Sequence, residues 1–332
     1  MVYRILITTI VLLLVPKLGP SSGLSQDSSS DTKQLAQHYR LTLLPLRPMG
    51  INDAGQIAGT SYSFKAALWS EQNGLREISL PEGFTRSEGI GLNRHGHLIG
   101  VAIDLKTHRR QGFEYADGKL ILLSGSQSKP FAINDDGQIA GECVLSGRGK
   151  NAAVVWKGKI AVDLGGCCGG TAVGLNNHMQ AIANIYDEQG RYEAFLWDQA
   201  QELRPIGPPT GYSSALTIND AGHILLESFP HDILFYADGK FTKLDLSPKL
   251  PSQPRALSNS DVIVGSFGSF ADSSHAFIWD KEHGFRDLNS LIAPNSGWVL
   301  RTANAINSKG EIVGWGDLHG EESLGFLLTP QP

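Results

Sequence analysis

One ten-residue unit recurs along the chain and constrains its fold more than any other feature. Its first copy is Gly50–Gly59, in which an Ile-Asn pair is followed by a turn and then by Gln-Ile-Ala-Gly. Seven copies occur, and each has one anchor position that holds Asn in six copies and Ser in one. The anchors are Asn52, Asn93, Asn134, Asn176, Asn219, Ser258 and Asn307, which lie 39 to 49 residues apart. A period of about 40 residues is typical of propeller blades.

Each repeat also contains an apolar segment with an aromatic residue near its end. Examples are Ala67–Trp69, Val154–Trp156 and Phe277–Trp279. A hairpin signal such as Asp117-Gly118 follows in several copies. One repeat therefore holds four short strands: one that runs to the anchor, one through the later glycine, one with the aromatic residue and one after the turn. Four antiparallel strands in a repeat of this length form one blade.

The two ends of the repeat region indicate how the ring closes. The seventh repeat ends soon after its third strand, whereas Tyr39–Leu44 forms a spare strand before the first anchor. We therefore predict an all-β fold, a seven-bladed β-propeller of four-stranded antiparallel blades that is closed by the N-terminal strand. The alternative is six blades with an irregular pair of strands.

The residues just before the anchors have a period of two, as in a strand with two different faces. The position immediately before each anchor is always Ile or Leu, and the position before that is always small. We expect the large residues to fill the interfaces between blades and the small ones to lie where the strands crowd near the axis.

The first 38 residues differ from the repeats. Arg4 precedes an apolar run, Ile5–Val15, which is too short to span a hydrocarbon core of about 30 Å. We predict an export signal peptide at 1–25, a flexible polar leader at 26–38 and a single propeller domain at 39–332. The protein would then be secreted or periplasmic, without membrane contact after removal of the signal. An uncleaved membrane tether is the alternative.

The repeats resemble the HAF family of extracellular repeats. The family name stands for His-Ala-Phe, which is present as His275-Ala276-Phe277 and is followed by Ile-Trp-Asp. Asp287–Ile292, Ser296–Trp298 and Gly310–Gly314 are also similar to the family. The resemblance covers residues 39–330 and implies export and a propeller-like fold. It implies no activity and no catalytic residues.

Composition and motifs exclude several kinds of partner. The chain has 28 Lys+Arg, 33 Asp+Glu and a net charge of −5, which argues against nucleic acid because phosphate-binding chains are usually basic. The Asn-Asp-x-Gly units suit turns better than calcium loops, since the acids are too few. His95 and His97 are the only close histidine pair and lack a third ligand. We predict no metal, no cofactor and a monomer.

Basic residues precede the anchors in several repeats and suggest a binding site. They are Arg47, Arg86, Lys129, Arg255 and Arg301, with Glu88 beside them. Innermost propeller strands begin on one face around the axis, so these residues predict a basic mouth of the axial channel that suits a carboxylate, a phosphate or an acidic sugar. The competing interpretation is rim charge paired with nearby acids. Trp298 is expected to overhang the same face, either stacked on a sugar or packed.

Three cysteines belong to the region of the third blade: Cys143, Cys167 and Cys168. An exported chain permits disulfides, so Cys143 is a candidate to bridge Cys167 or Cys168. A vicinal link between Cys167 and Cys168 is a strained alternative.

These observations predict an exported, non-enzymatic binding or interaction module. Its partner would be a small anionic or glycan ligand, or an envelope protein. One alternative is a propeller hydrolase or lyase that acts on an extracellular carbohydrate or ester, with its catalytic groups assembled from different blades. The other is a structural component of the cell envelope.

Overall fold

The chain folds into short antiparallel β-strands, as the repeat predicts. The structure is a computed structural model that describes residues 38–166, 168–198, 203–208, 212–247, 250–268 and 274–331. All of these residues belong to one compact unit, Ala36–Pro332. They form 28 strands and one short 3-10 helix, Leu288–Leu291. The predicted signal peptide lies outside the described residues, as does the leader except for His38.

Six blades are formed by four consecutive strands each, with the innermost strand first. Blades 1 to 3 are β2 (Leu46–Ile51), β3 (Ile57–Ser61), β4 (Ala66–Ser70) and β5 (Gly74–Glu77); β6 (Arg86–Leu92), β7 (Leu98–Asp104), β8 (Arg109–Ala116) and β9 (Lys119–Leu122); β10 (Ser126–Ile133), β11 (Ile139–Val144), β12 (Asn151–Lys157) and β13 (Ile160–Asp163). Blades 4 to 6 are β14 (Gly170–Leu175), β15 (Ala181–Tyr186), β16 (Tyr192–Trp197) and β17 (Arg204–Pro205); β18 (Ser213–Ile218), β19 (Ile224–Ser228), β20 (Asp232–Ala237) and β21 (Lys240–Leu244); β22 (Ser252–Leu257), β23 (Ile263–Phe267), β24 (His275–Asp280) and β25 (Gly284–Asp287).

The seventh blade joins the two ends of the repeat region. It consists of β26 (Trp298–Ile306), β27 (Ile312–Leu318), β28 (Glu321–Gln331) and, outermost, the N-terminal strand β1 (His38–Leu44). β1 pairs with β28 in antiparallel register from His38–Gln331 to Leu44–Gly325. The predicted seven-bladed propeller with N-terminal closure is confirmed, and the six-bladed alternative is wrong.

The blades define two faces of the propeller. Each innermost strand ends at the residue just before its anchor, so we name that side the anchor face. The chain returns from the outermost strand of one blade to the innermost strand of the next on the other side, which we name the connection face. The hairpins between the second and third strands also lie on the connection face, because the strands alternate in direction.

The anchor residues form the turns that the sequence indicates. Asn52 Oδ1 accepts hydrogen bonds from the N–H groups of Ala54 (3.1 Å) and Gln56 (3.0 Å). Gly55 has φ +73°, a left-handed conformation that glycine adopts without strain. Met179 and Asp261 occupy this position in the fourth and sixth copies, both with φ 60°. The turn therefore forms in all seven copies, with backbone strain in two.

The large residues before the anchors pack between blades, as expected, and most of them also face the axis. Leu175 belongs to a buried cluster with Ala140 of blade 3, and Leu257 belongs to one with Leu225 of blade 5. Six of the seven large side chains also line a cavity on the axis: those of Ile51, Leu92, Ile133, Leu175, Leu257 and Ile306. The small residues lie where innermost strands approach each other. A Cβ on Gly50 would be 3.3 Å from Gly91 Cα of the neighbouring blade. A β-bulge just before the small residue occurs in every innermost strand.

The aromatic signature of the third strand pairs with a glycine of the second strand. A Cβ on Gly100 would be 2.5 Å from the Phe113 ring, and a Cβ on Gly314 would be 2.6 Å from the Phe326 ring. Both rings are fully buried between blades. The glycine thus leaves the space that the aromatic ring fills, which explains why the two signatures recur together.

Candidate functional site

A belt of anchor side chains surrounds the axis on the anchor face. The Nδ2 atoms of five anchors donate to the backbone carbonyl of the next anchor at 3.0 to 3.2 Å, from Asn52, Asn93, Asn134, Asn176 and Asn219. Asn307 Nδ2 donates to Asn52 O at 3.1 Å and so links the last blade to the first. Ser258 lacks an amide, so the link from blade 6 to blade 7 is missing.

The residues that follow the anchors form a second ring. A backbone N–H in one blade donates to a side-chain oxygen in the next at 2.8 to 3.0 Å, in the pairs Arg94–Asp135, Asp135–Asn177, Asn177–Asp220, Asp220–Asn259 and Ser308–Asp53. Together the rings surround an axial cavity of about 340 Å³, which is lined by these polar residues and by the Ile and Leu side chains that precede the anchors. These polar groups already bond to one another, so the cavity edge acts to hold the blades together.

The predicted basic mouth is only partly assembled on the connection face. Arg47, Glu88 and Lys129 share one position in blades 1 to 3, because each lies five residues before its anchor. Arg47 and Glu88 are exposed, and Lys129 Nζ lies 4.7 Å from the centroid of the adjacent Phe131 ring. Arg255 is exposed at the bulge of β22.

Two of the predicted basic residues are held by partners that the linear sequence does not reveal. Arg86 Cζ stacks 4.1 Å from the centroid of the Phe64 ring in the preceding blade. Arg301 Nε donates to Asp317 Oδ2 at 2.7 Å, and both side chains are largely buried. A ring of five unpaired cations is therefore not formed. Trp298 packs edge to face on Phe326, at 6.1 Å between ring centroids.

The cysteines give no bridge from Cys143. Its thiol is free and buried, and a Cβ on Gly125 would be 2.5 Å from the Sγ atom. Burial, with Asp163 and Glu142 nearby, raises the pKa of Cys143 to about 11. The proposed bridge of Cys143 to Cys168 is thus absent from this structure, because the thiol faces Gly125 of its own blade. Cys167 lies outside the described residues, and Cys168 is half-buried.

An aromatic cleft lies on the connection face between blades 4 and 5. Its rings are Tyr186, Tyr192, Tyr212 and Phe229, which are 42, 42, 47 and 74 % exposed. The cleft consists of a cavity of about 510 Å³ and a second of about 200 Å³, which share Tyr192 and Tyr212. Grouped exposed aromatic side chains are typical of interaction sites, because water does not favour them.

The local fold explains why these rings meet. Tyr186 and Tyr192 are a cross-strand pair at the end of the β15–β16 hairpin. Tyr212 precedes β18, and Phe229 follows β19. Tyr186 and Tyr192 pack edge to face at 5.9 Å and 80°, and Tyr212 and Phe229 do so at 6.4 Å and 64°.

Charged side chains line the same cleft. Arg191 Nε donates to Asp187 Oδ2 at 2.6 Å, and Arg191 Cζ lies 5.9 Å from the centroid of the Tyr212 ring. Desolvation pushes the pKa of Asp187 upward, but hydrogen bonds from Arg191 and Gln189 outweigh it and lower that pKa below its usual range. Glu227 Oε1 is paired with His231 Nδ1 at 2.9 Å. Glu193 lines the larger cavity.

The sequence prediction missed this cleft. Its aromatic residues come from two hairpins and one connection, and only the closed propeller brings them together. The one available signal was that both ends of the β15–β16 hairpin carry tyrosine. No cluster of His, Cys, Asp and Glu that could hold a metal ion occurs among the residues that the structure describes. That part of the chain also has no helix with the length and apolarity to cross a bilayer.

Solved structures share the fold. The β-propeller domain of the trilobed protease from Pyrococcus furiosus aligns with a TM-score of 0.61 and 11 % identity, over 89 % of this chain and 97 % of that one. A virginiamycin B lyase from Staphylococcus aureus with quinupristin gives 0.56 and 12 %, over 88 % and 99 %. YCF48 bound to D1 peptide gives 0.54 and 10 %, over 88 % and 96 %.

Similarity at this level of identity shows the propeller fold alone, and it includes both enzymes and binding proteins. No family model and no curated protein sequence matches the chain. The resemblance to the HAF family therefore stays a prediction.

Proposed function

We propose that this chain is a non-catalytic binding module whose ligand occupies the aromatic cleft between blades 4 and 5. The observation that carries the proposal is the grouping of four exposed aromatic rings in one concave site. Ligand sites are generally concave and largely apolar, with a few polar groups that orient the ligand. The cleft has this composition, since its tyrosines are accompanied by Asp187, Arg191 and Glu193.

The axial mouth is a weaker candidate for the ligand site than the cleft. Arg301 is neutralised by Asp317, and Arg86 is stacked on Phe64. Arg47 and Lys129 occupy the equivalent position in the blades on either side of Glu88, so the attraction for an anion is reduced there. The interpretation of these residues as paired rim charge has more support than the proposed anion site.

Catalysis has less support than binding. A hydrolase or lyase needs an acid, a base and a nucleophile close together, often with shifted pKa values. The two pKa values that depart furthest from normal belong to Glu77, at about 2, and Cys143, at about 11. They lie in blades 1 and 3, and neither lines the cleft or the axial cavity. Cys143 is a poor nucleophile because its thiolate is disfavoured.

Export is part of the proposal and rests on the sequence of residues 1–25. A secreted or periplasmic module would meet ligands of the cell envelope or the surroundings, such as peptides and glycans. YCF48, whose fold is similar, is a protein with a bound peptide. It illustrates that this architecture is compatible with such a role.

The test is a binding screen with matched variants of the full chain. Arrays of short peptides, glycans and small anions are probed with wild type, Tyr212→Ala, Ile160→Ala and Arg47→Ala/Lys129→Ala. Ile160 is 71 % exposed outside the cleft and controls for loss of a surface apolar side chain. We expect a probe that wild type binds, that Tyr212→Ala loses and that both other variants retain.

Each other outcome contradicts the proposal in a different way. Loss of binding in Arg47→Ala/Lys129→Ala would place the ligand at the axial mouth. Chemical conversion of a bound probe would favour a hydrolase or lyase. Absence of any binding across the arrays would favour a structural envelope component.

A further inference from the structure

The charge of the cleft indicates what kind of ligand it takes. Three carboxylates line its two cavities, those of Asp187, Glu193 and Glu227, against the Arg191 guanidinium and the His231 imidazole. Asp187 and Glu227 are paired with Arg191 and His231. Glu193 makes no ion pair within the described residues. The cleft is therefore net negative and disfavours the anionic ligands that the sequence suggested.

The aromatic rings favour a cation over a flat sugar. Tyr186 and Tyr192 meet nearly at right angles, so they form a corner rather than an open platform. Such corners attract compact cations to the ring faces. A cation already lies over one ring of the cleft, because the Arg191 guanidinium is placed over the Tyr212 ring. A sugar ring would need a broad uncovered face, which edge-to-face packing reduces.

An apolar subsite adjoins the cationic one. The smaller cavity shares Tyr192 and Tyr212 with the larger one and adds Phe229 and Pro230. Phe229 is the most exposed large apolar side chain described in the molecule. Because Tyr192 and Tyr212 line both cavities, the subsites adjoin, and neighbouring groups of one ligand can occupy both.

We infer that the cleft binds a peptide segment in which a cationic side chain stands next to an apolar one. The cationic side chain lies against Tyr186, Tyr192 and Glu193, and the apolar side chain lies against Phe229. This inference rests on the proposed function and adds the ligand class. Charge complementarity and the adjoining apolar subsite together select a peptide, since peptides carry both groups at neighbouring positions.

The test uses three capped hexapeptides and calorimetric titration of the full chain. The probes are Gly-Ser-Lys-Leu-Ser-Gly, the same peptide with Gln for Lys, and the same peptide with Ser for Leu. We expect the first to bind about tenfold tighter than either of the others, and its affinity to fall at high salt. Maltoheptaose is titrated in parallel as a neutral glycan.

Variants assign the two subsites. We expect Glu193→Gln to weaken the Lys-Leu peptide about five- to tenfold and to leave the Gln peptide unchanged. Phe229→Ala should weaken the two Leu-containing peptides and leave the Ser peptide unchanged. Glu322→Gln and Ile160→Ala, both at exposed positions outside the cleft, are the matched controls. Unchanged thermal unfolding confirms that each variant is folded.

Three results would overturn the inference. They are equal binding of the Lys and Gln peptides, no binding of any peptide at millimolar concentration, and binding of maltoheptaose that Tyr212→Ala abolishes. The last result would retain the proposed function and replace the peptide with a glycan. If no probe in the wider screen requires Tyr212 for binding, the proposed function itself is overturned.

Discussion

Two connections cross the same face of the propeller and differ in what they do with their aromatic and charged residues. Between blades 6 and 7, the 3-10 helix Leu288–Leu291 and Trp298 pack into the largest buried cluster, together with Phe326. Between blades 4 and 5, Tyr212 at the end of the connection stays exposed, as do Tyr192 and Phe229 beside it. Equivalent positions of a repeat fold thus serve stability in one place and an open cleft in another.

The packed connection joins the same two blades that lack an anchor-amide link on the opposite face. The belt of anchor amides lacks its link between blades 6 and 7 because the anchor there is Ser258. The helix supplies polar contacts instead: Asn289 Nδ2 donates to Leu300 O at 3.0 Å, and Leu300 N–H donates to Asn289 Oδ1 at 2.7 Å. Blades 6 and 7 are therefore joined by a buried connection, and the belt has no amide link between them. The cleft lies between blades 4 and 5, where the belt link from Asn176 to Asn219 is present.

The largest expected difference between the two connections is in core packing. Leu288 is fully buried, so Leu288→Ala should lower the free energy of unfolding by about 3 kcal/mol. Phe229→Ala, in the cleft, should change it by less than about 0.5 kcal/mol. Chemical denaturation of both variants measures the difference. If both variants lost the same free energy of unfolding, Phe229 would be part of the core, and the two connections would not differ in packing.

Two ion pairs, one in the blade next to each connection, give a smaller contrast. Arg301 and Asp317 are each 16 % exposed, whereas Arg191 and Asp187 are 53 and 37 % exposed. Arg301→Gln should cost about 2 kcal/mol, because it leaves the Asp317 carboxylate largely buried without its cation. Arg191→Gln should leave the free energy of unfolding nearly unchanged, because water and salt screen an exposed pair. A measured loss for Arg191→Gln as large as that for Arg301→Gln would contradict this comparison.

The belt provides a third contrast, between a link that is made and one that is missing. Asn134→Ser should cost about 1 kcal/mol, because serine keeps a turn acceptor but loses the bond to Asn176 O at 3.2 Å. Ser258→Asn should gain up to about 1 kcal/mol if the new amide reaches Asn307 O. Thermal unfolding of the two single variants checks both signs. A loss of stability in Ser258→Asn would show that the anchor turn of blade 6 does not accommodate the amide.

A structural feature could be predicted from the sequence when the residues that form it are close together in the chain. Strands, turns and closure depend on local patterns, such as Asn52 with Gly55 or the spare strand β1, and these predictions are confirmed. Side-chain partners across blades are not visible locally. Arg86 was expected at the axial mouth, but Phe64 of the preceding blade holds it. The cleft was missed for the same reason, since Tyr186 and Phe229 belong to different repeats.

The smallest expected effect on stability concerns Tyr39, a buried tyrosine in the same cluster as Leu288. Burial raises the pKa of Tyr39; Arg286 opposes the shift and Asp280 adds to it. A phenol whose pKa is raised on folding contributes stability that is fully present below its unfolded pKa of about 10 and decreases as the pH rises above it. Relative to Tyr39→Phe, wild type should therefore lose stability as the pH rises above about 10. Denaturation at several pH values measures this difference, with Tyr212→Phe in the exposed cleft as the control for loss of a hydroxyl. A difference between wild type and Tyr39→Phe that does not change with pH would mean that Tyr39 ionises as freely as an exposed phenol, and that the outer strand of blade 7 is less tightly packed than its burial indicates.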